Sequence, residues 1–152
     1  MSLARHPYSY RSDAAVPAFP DDKPIIVFDG HCVMCSGWAQ FVIRHDGAAR
    51  YRLLAAQTPL GGALYQHYGL DPHDYETNIL IVEGTAWFKS EAAIRMFEGL
   101  GRPWSSIAVF RLVPLRIRDA CYNRLAANRF RLFGRRETCF APTPDIAERF
   151  LS

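Results

Sequence analysis

Ile25-Ile26-Val27-Phe28-Asp29-Gly30-His31-Cys32-Val33-Met34-Cys35 is the stretch on which the fold turns. Its first four residues form an apolar run rich in β-branched side chains, which predicts a short buried strand. Lys23-Pro24 precedes the run and Asp29-Gly30 ends it. A helix is then expected from about Cys32 to His45, because Met34, Trp38, Phe41, Val42 and His45 recur at three- and four-residue spacing along one face. Asp46-Gly47 closes that helix. The C-x-x-C of Cys32 and Cys35 therefore falls where a strand hands over to a helix. A thiol at a helix N-terminus faces unpaired backbone N–H groups and the positive end of the helix dipole, so its thiolate is favoured. Cys32 is expected to be the exposed nucleophile. Cys35, one turn further in, is placed to attack a mixed disulfide. Asp29, at the strand's end, is a candidate to accept and return the Cys35 proton, with capping of the turn as its structural alternative. His31 would favour the Cys32 thiolate when protonated.

Working outward, Tyr51 to Ala55 reads as a second strand and Leu60 to Tyr68 as a second helix, ended by Gly69. Asn78 to Val82 is a third strand. Glu83-Gly84 turns it back into Thr85 to Phe88, the clearest hairpin signal in the chain. Ser90 is placed to cap a helix running to Leu100, with Gly101 as its stop. The order β-α-β-α-β-β-α describes a small mixed sheet flanked by helices, an α/β fold. Residues 1–22 carry Pro7, Pro17 and Pro20 without periodicity and are expected to form a mobile extension. Residues 23–152 then form one domain, with 23–101 as its core and 102–152 as a helical extension and tail.

Two helices are predicted in that extension, Pro103 to Val113 and Pro114 to Phe133, each with Pro in its first turn. On a helical wheel, Leu115, Cys121, Tyr122, Leu125, Leu132 and Phe133 of the second cluster on one side. Arg116, Arg124, Arg131 and Arg135 lie opposite, as a solvated face. Arg118 and Arg129 fall amid the apolar side, where a buried guanidinium needs a carboxylate partner.

The chain's 152 residues, 49% hydrophobic and 22% charged, exclude a disordered chain and a cysteine-dense secreted scaffold. No apolar run nears the roughly 18 to 20 residues that span a bilayer. No apolar leader of the secretory kind opens the sequence, so export is not expected. The net charge of +3 conceals ten Arg against four acids after residue 101. These Arg are not interleaved with stacking aromatics on one exposed face, which argues against nucleic acid. They leave a second class of function open, an interaction module docking on an anionic surface or partner.

Other chemistries fit the cysteines less well. A closed zinc site needs four ligands, and Cys121 and Cys139 supply neither a second C-x-x-C nor a C-x-x-H. A zinc-binding or purely structural pair is nonetheless the first alternative. An aspartyl-nucleophile phosphohydrolase wants an acid where His31 stands, and a cysteine phosphatase loop wants an Arg six residues after its Cys, where Trp38 and Phe41 stand. Both fail. Cys121 reads as a small core hydrophobe and Cys139 as a structural tail thiol. His6, His67 and His73 read as surface residues, Trp38 and Phe41 as core.

The run DGHCVMC resembles the Asp-Gly-x-Cys-x-x-Cys signature of the DCC family of predicted thiol-disulfide oxidoreductases. Lys89-Ser90-Glu91-Ala92-Ala93 is similar to that family's Lys-Ser-x-Ala-Ala. Pro114, Arg118, Asp119 and Tyr122 are similar to its Pro-x-x-x-Arg-Asp-x-x-Tyr. Asn128-Arg129-Phe130, Phe133-Gly134, and Cys139 with Pro142 and Pro144 resemble its later motifs. The resemblance runs from about Pro24 to the end. It implies a thioredoxin-like fold with a redox-active Cys32/Cys35 pair, Asp29 beside it, and His31, Arg118 and Arg129 in support. At least one of Arg118 and Arg129 is expected to pair with Asp29 or Glu91. Better-known thioredoxins set a cis-Pro beside the pair. The matching position falls near Thr77-Asn78, where this chain has none. The expectation is thus a cytoplasmic thiol-disulfide oxidoreductase without cofactor or metal. It would act on a protein or small-molecule disulfide or thiol and be served by a separate electron donor.

Overall fold

The computed structural model describes residues 7–46, 50–70, 77–134, 144 and 149–151. Strand β1 (Ile25–Phe28) is followed by α1 (Val33–His45), β2 (Arg52–Ala55) and α2 (Pro59–His67). Then come the hairpin of β3 (Ile79–Val82) and β4 (Thr85–Phe88), and α3 (Lys89–Gly99). All these elements match the sequence reading to within a residue or two. A fifth strand, β5 (Phe150–Leu151), has no signal in the sequence, because two residues are too few to show a period. The sheet runs β4-β3-β1-β2-β5, with β1–β2 and β2–β5 parallel and β3 antiparallel to both its neighbours. This five-stranded mixed sheet with flanking helices is consistent with a thioredoxin-like fold.

β1 lies at the centre, and its alternation sorts two cores. Ile25 and Val27 pack with Leu54, Ile79 and Ile81 against Leu60, Leu64 and Tyr65 of α2. Ile26 and Leu80 face the other way, against Val42 of α1 and Ala92 and Met96 of α3, while Phe28 and Leu53 pack on Ala39. Burial on both sides is why β1 reads as an unbroken apolar run rather than an alternating one.

Residues 7–22, expected to be a mobile extension, instead pack onto the first core. Tyr10 is fully buried there with Val16. His67, expected at the surface, is buried where it holds this segment: Nε2 meets Ser9 Oγ at 2.7 Å and Nδ1 meets Asp13 Oδ2 at 2.7 Å. The Tyr8 N–H donates to the Gly84 carbonyl at 2.9 Å. Gly84 has φ +78°, and a Cβ there would meet the Tyr8 ring at 2.5 Å, so the hairpin turn requires glycine twice over. The anchoring is long-range, and a local reading of three prolines cannot see it.

The C-terminal extension departs from two smooth helices. Trp104–Leu112 is a 3-10 helix packed on α3, and the second helix breaks into α4 (Leu115–Ala127) and α5 (Arg129–Phe133) at Asn128. There the Asn128 side-chain amide donates to the Arg124 carbonyl at 2.8 Å. Ser90 does not cap α3; its hydroxyl bonds the Asp119 carboxylate, which α4 brings to it. Cys121, expected in the core, is exposed, because α4 packs along the line of Arg118, Tyr122 and Ala126 instead. His6, His73, Arg135 and Cys139 lie outside the described residues.

Candidate active site

Phe28 ends β1, and the next three residues make the turn that delivers Cys32 to the head of α1. The Asp29 carboxylate folds back to accept from the His31 N–H at 2.9 Å, and the Asp29 carbonyl accepts from the Cys32 N–H at 3.3 Å. Gln57, just after β2, clamps the same turn. Its amide donates to Asp29 Oδ1 at 2.6 Å and its carbonyl accepts from the Gly30 N–H at 2.9 Å. The pairing of β1 with β2 sets this clamp, which no motif around Gln57 announces.

Cys32 is the N-cap of α1, the place usually taken by Ser, Thr, Asp or Asn. Its sulfur accepts from the Cys35 N–H at 3.3 Å. The Cys35 thiol also donates to it, and together with the N–H and the nearby Arg129 charge this lowers the Cys32 pKa to about 7, against the opposing effects of burial and Asp29. The Cys35 thiol is pushed strongly upward, first by donating to Cys32, then by burial and by the charges of Cys32 and Asp29. Both cysteines are free thiols. The expectation of an exposed nucleophile is corrected: Cys32 is 0% exposed and Cys35 6%. Helix α5 packs against α1, and the Gly134 carbonyl, just past α5, accepts from the Val33 N–H at 3.5 Å, so the C-terminal segment sits over the first turn of α1.

Both inward Arg meet carboxylates. Buried Arg129 places Nη2 3.5 Å from Asp29 Oδ2 and donates through Nη1 to the Ala126 carbonyl at 2.7 Å. Arg118 places Nη1 3.6 Å from Glu91 Oε2 and donates to the Val113 carbonyl at 3.0 Å. Arg129 therefore belongs to the thiol site, whereas Arg118 ties α4 to α3. His31 enters the turn through its backbone N–H. Among the described residues, no three His, Cys, Asp or Glu side chains gather as a metal site would need.

A cleft of about 200 Å³ lies beside the pair and is lined by Cys35. Its apolar wall is Met34, Trp38, Ala93, Met96 and Phe97, and its polar residues are Asn78, Lys89 and Tyr122. Trp38, expected as core, is half-buried in this wall, its indole N–H on Met96 Sδ at 3.2 Å and its ring 4.7 Å from that of Phe97. The Thr77-Asn78 segment closes on itself. The Tyr122 hydroxyl accepts from the Asn78 N–H at 3.2 Å, the Thr77 hydroxyl donates to the Asn78 carbonyl at 2.7 Å, and the Thr77 carbonyl accepts from Tyr65 at 2.5 Å. Burial raises the Tyr122 pKa, keeping its hydroxyl protonated.

The model of the DCC1-like thiol-disulfide oxidoreductase family matches residues 26–135. The uncharacterized protein YuxK of Bacillus subtilis is 35% identical over 127 residues, which cover 84% of this chain and 93% of that protein. A DCC family protein of Arabidopsis thaliana, named as chloroplastic, is 34% identical over 120 residues, 78% of this chain and 70% of that protein. No solved structure matches the chain.

Proposed function

The chain belongs to the DCC1-like thiol-disulfide oxidoreductase family, and from this premise we propose that it exchanges disulfides through Cys32 and Cys35. The observation that carries the reading is the Cys32 sulfur at the N-cap of α1, accepting from the Cys35 N–H. A sulfur held there is stabilised as thiolate, the species that attacks disulfides. Cys32 bonds to one sulfur of a substrate disulfide, and the other leaves as a thiolate. Cys35 then gives its proton to Asp29 and attacks the Cys32 sulfur. The second substrate sulfur leaves, taking that proton, and the protein pair is oxidised. Arg129 holds Asp29 and supports the Cys32 thiolate, and His31 supports the site by its backbone N–H bond to Asp29. Because Cys32 is buried, attack on a substrate requires α5 and Gly134 to lift from the first turn of α1. The pair is itself the redox centre, so the cycle needs no cofactor or metal. It does need a disulfide substrate, protein or small molecule, and a separate donor that returns two electrons. We place it in the cytoplasm, to be checked by fractionation; no helix among the described residues is long and apolar enough to cross a membrane.

A redox titration read by mass spectrometry of alkylated peptides tests the proposal. A reversible Cys32–Cys35 disulfide at a defined potential is expected, and its absence at every poise ends the reading. The pH dependence has a fixed sign. Below a pKa of about 7 the Cys32 thiolate fraction, and with it the rate of alkylation, falls about tenfold per pH unit. The rate is flat well above that value. A midpoint near the ordinary thiol value of about 8.5 would remove the electrostatic basis of the mechanism.

A further inference from the structure

The two sulfurs have different surroundings. Cys32 is enclosed, while Cys35 lines the cleft. Among the described lining residues Lys89 carries the only charge, and its ammonium has no ion pair or hydrogen bond within the described structure. At about 200 Å³ the cleft is smaller than the roughly 300 Å³ at which drug-sized sites begin, so it suits one ring or a short chain. The wall of Trp38, Met96 and Phe97 is already packed for an apolar group. An extended peptide fits poorly, because it would dock through main-chain hydrogen bonds. The Asn78 N–H and the Thr77 and Asn78 carbonyls that would receive it are already engaged by Tyr122, Tyr65 and Thr77.

We propose that this cleft is the entry site of the electron donor, a small thiol with an apolar or aromatic body and a carboxylate, which attacks the oxidised pair at Cys35. The proposal rests on the cycling of Cys32 and Cys35 described above and adds the donor's class and the sulfur it meets. The donor thiolate bonds to Cys35 Sγ as the Cys32–Cys35 bond breaks, and the electron pair leaves on Cys32. A second donor thiolate then attacks the donor sulfur of the mixed disulfide. Donor disulfide departs, and Cys35 takes a proton from water. Two donor thiols are oxidised and one protein disulfide is reduced. Cys32 is the better leaving group of the pair, since the lower-pKa thiol leaves faster. Lys89 pairs with the donor carboxylate. Donor entry from the cleft does not require α5 to move, unlike attack by Cys32 on a substrate.

The test uses the oxidised full-length protein and two thiols of matched shape, 4-mercaptophenylacetate and its neutral amide, compared at equal thiolate concentration. The carboxylate should reduce the protein about fivefold faster, the upper range for a partly exposed charge pair. That ratio should fall toward one in Lys89→Gln and at high salt. A wild-type ratio near one, or a ratio that survives Lys89→Gln, overturns the cleft assignment. For the sulfur, reduction of the oxidised protein by 4-mercaptophenylacetate is quenched with acid at short times and the mixed disulfide is located by mass spectrometry of its peptides. An adduct on Cys35 is expected, and an adduct on Cys32 overturns entry at Cys35. A wild-type protein that never forms the Cys32–Cys35 disulfide sinks the underlying function instead. A disulfide that forms without the charge ratio sinks only the donor site.

Discussion

Strand β1 and the C-terminal helices both carry strings of large apolar residues, yet the two regions are held in opposite ways. Ile25 to Phe28 touch no solvent, and the sheet is secured by apolar side chains packed on both its faces. Leu112, Leu115, Ile117, Leu132 and Phe133 are exposed, and beyond the Trp104 ring, which packs on Phe41, His45 and Phe97, the extension is held at a few polar points. These are Arg129 on Asp29, Arg118 on Glu91, Asp119 on Ser90, Tyr122 on Asn78, and Arg111 on Glu91 and Glu98. A packed core spreads its stability over many contacts. A polar anchor concentrates it in one geometry.

That contrast is open to attack by substitution. Phe28→Ala, in the packed region, should cost about 4 kcal/mol of unfolding free energy in a urea titration. A loss under about 1 kcal/mol would mean the sheet is less tightly packed than described. Arg129→Leu should cost about 3 kcal/mol, since it leaves the buried Asp29 carboxylate without its cation. It should also move the midpoint of Cys32 alkylation to higher pH, because a supporting positive charge is lost and Asp29 is left uncompensated. A stability loss with an unmoved midpoint would separate Arg129 from the thiol chemistry. Arg118→Ala should cost only about 1 kcal/mol, as a partly exposed pair that is not among the charges acting on Cys32, and leave that midpoint in place. Leu132→Ser, on the exposed face of α5, should change stability by less than about 0.5 kcal/mol. A large loss there would show that this face is covered in solution and that the contrast between the regions is overdrawn.

The site was legible in the sequence to unequal depth. Cys32, Cys35 and Asp29 stand within seven residues, so one local motif and one strand-to-helix junction placed them together. The wheel singled out Arg118 and Arg129 because a charge on an apolar face needs a partner, but it could not tell which carboxylate each would meet. Gln57 and Asn78 lie in loops and carry no spacing signal of their own, while Lys89 and Tyr122 fall in motifs that give no sign of meeting at one cleft. Trp38 has the spacing of a core residue, and periodicity cannot separate the wall of a cleft from the inside of a core.

What the sequence by itself determined is the local grammar: β1 and the helix after it, the hairpin at Glu83-Gly84, the position of Cys32 at a helix N-terminus, and the two misplaced Arg. These depend on neighbours a few residues apart, whose side-chain period and turn chemistry are written in order along the chain. Tertiary structure alone decided that residues 7–22 fill a core, that β5 closes the sheet edge, that Cys32 is enclosed, and that Cys35 faces a cleft with one lysine. Each of these rests on contacts between residues distant in sequence. Burial is a property of what the rest of the chain leaves uncovered, and no local pattern specifies it.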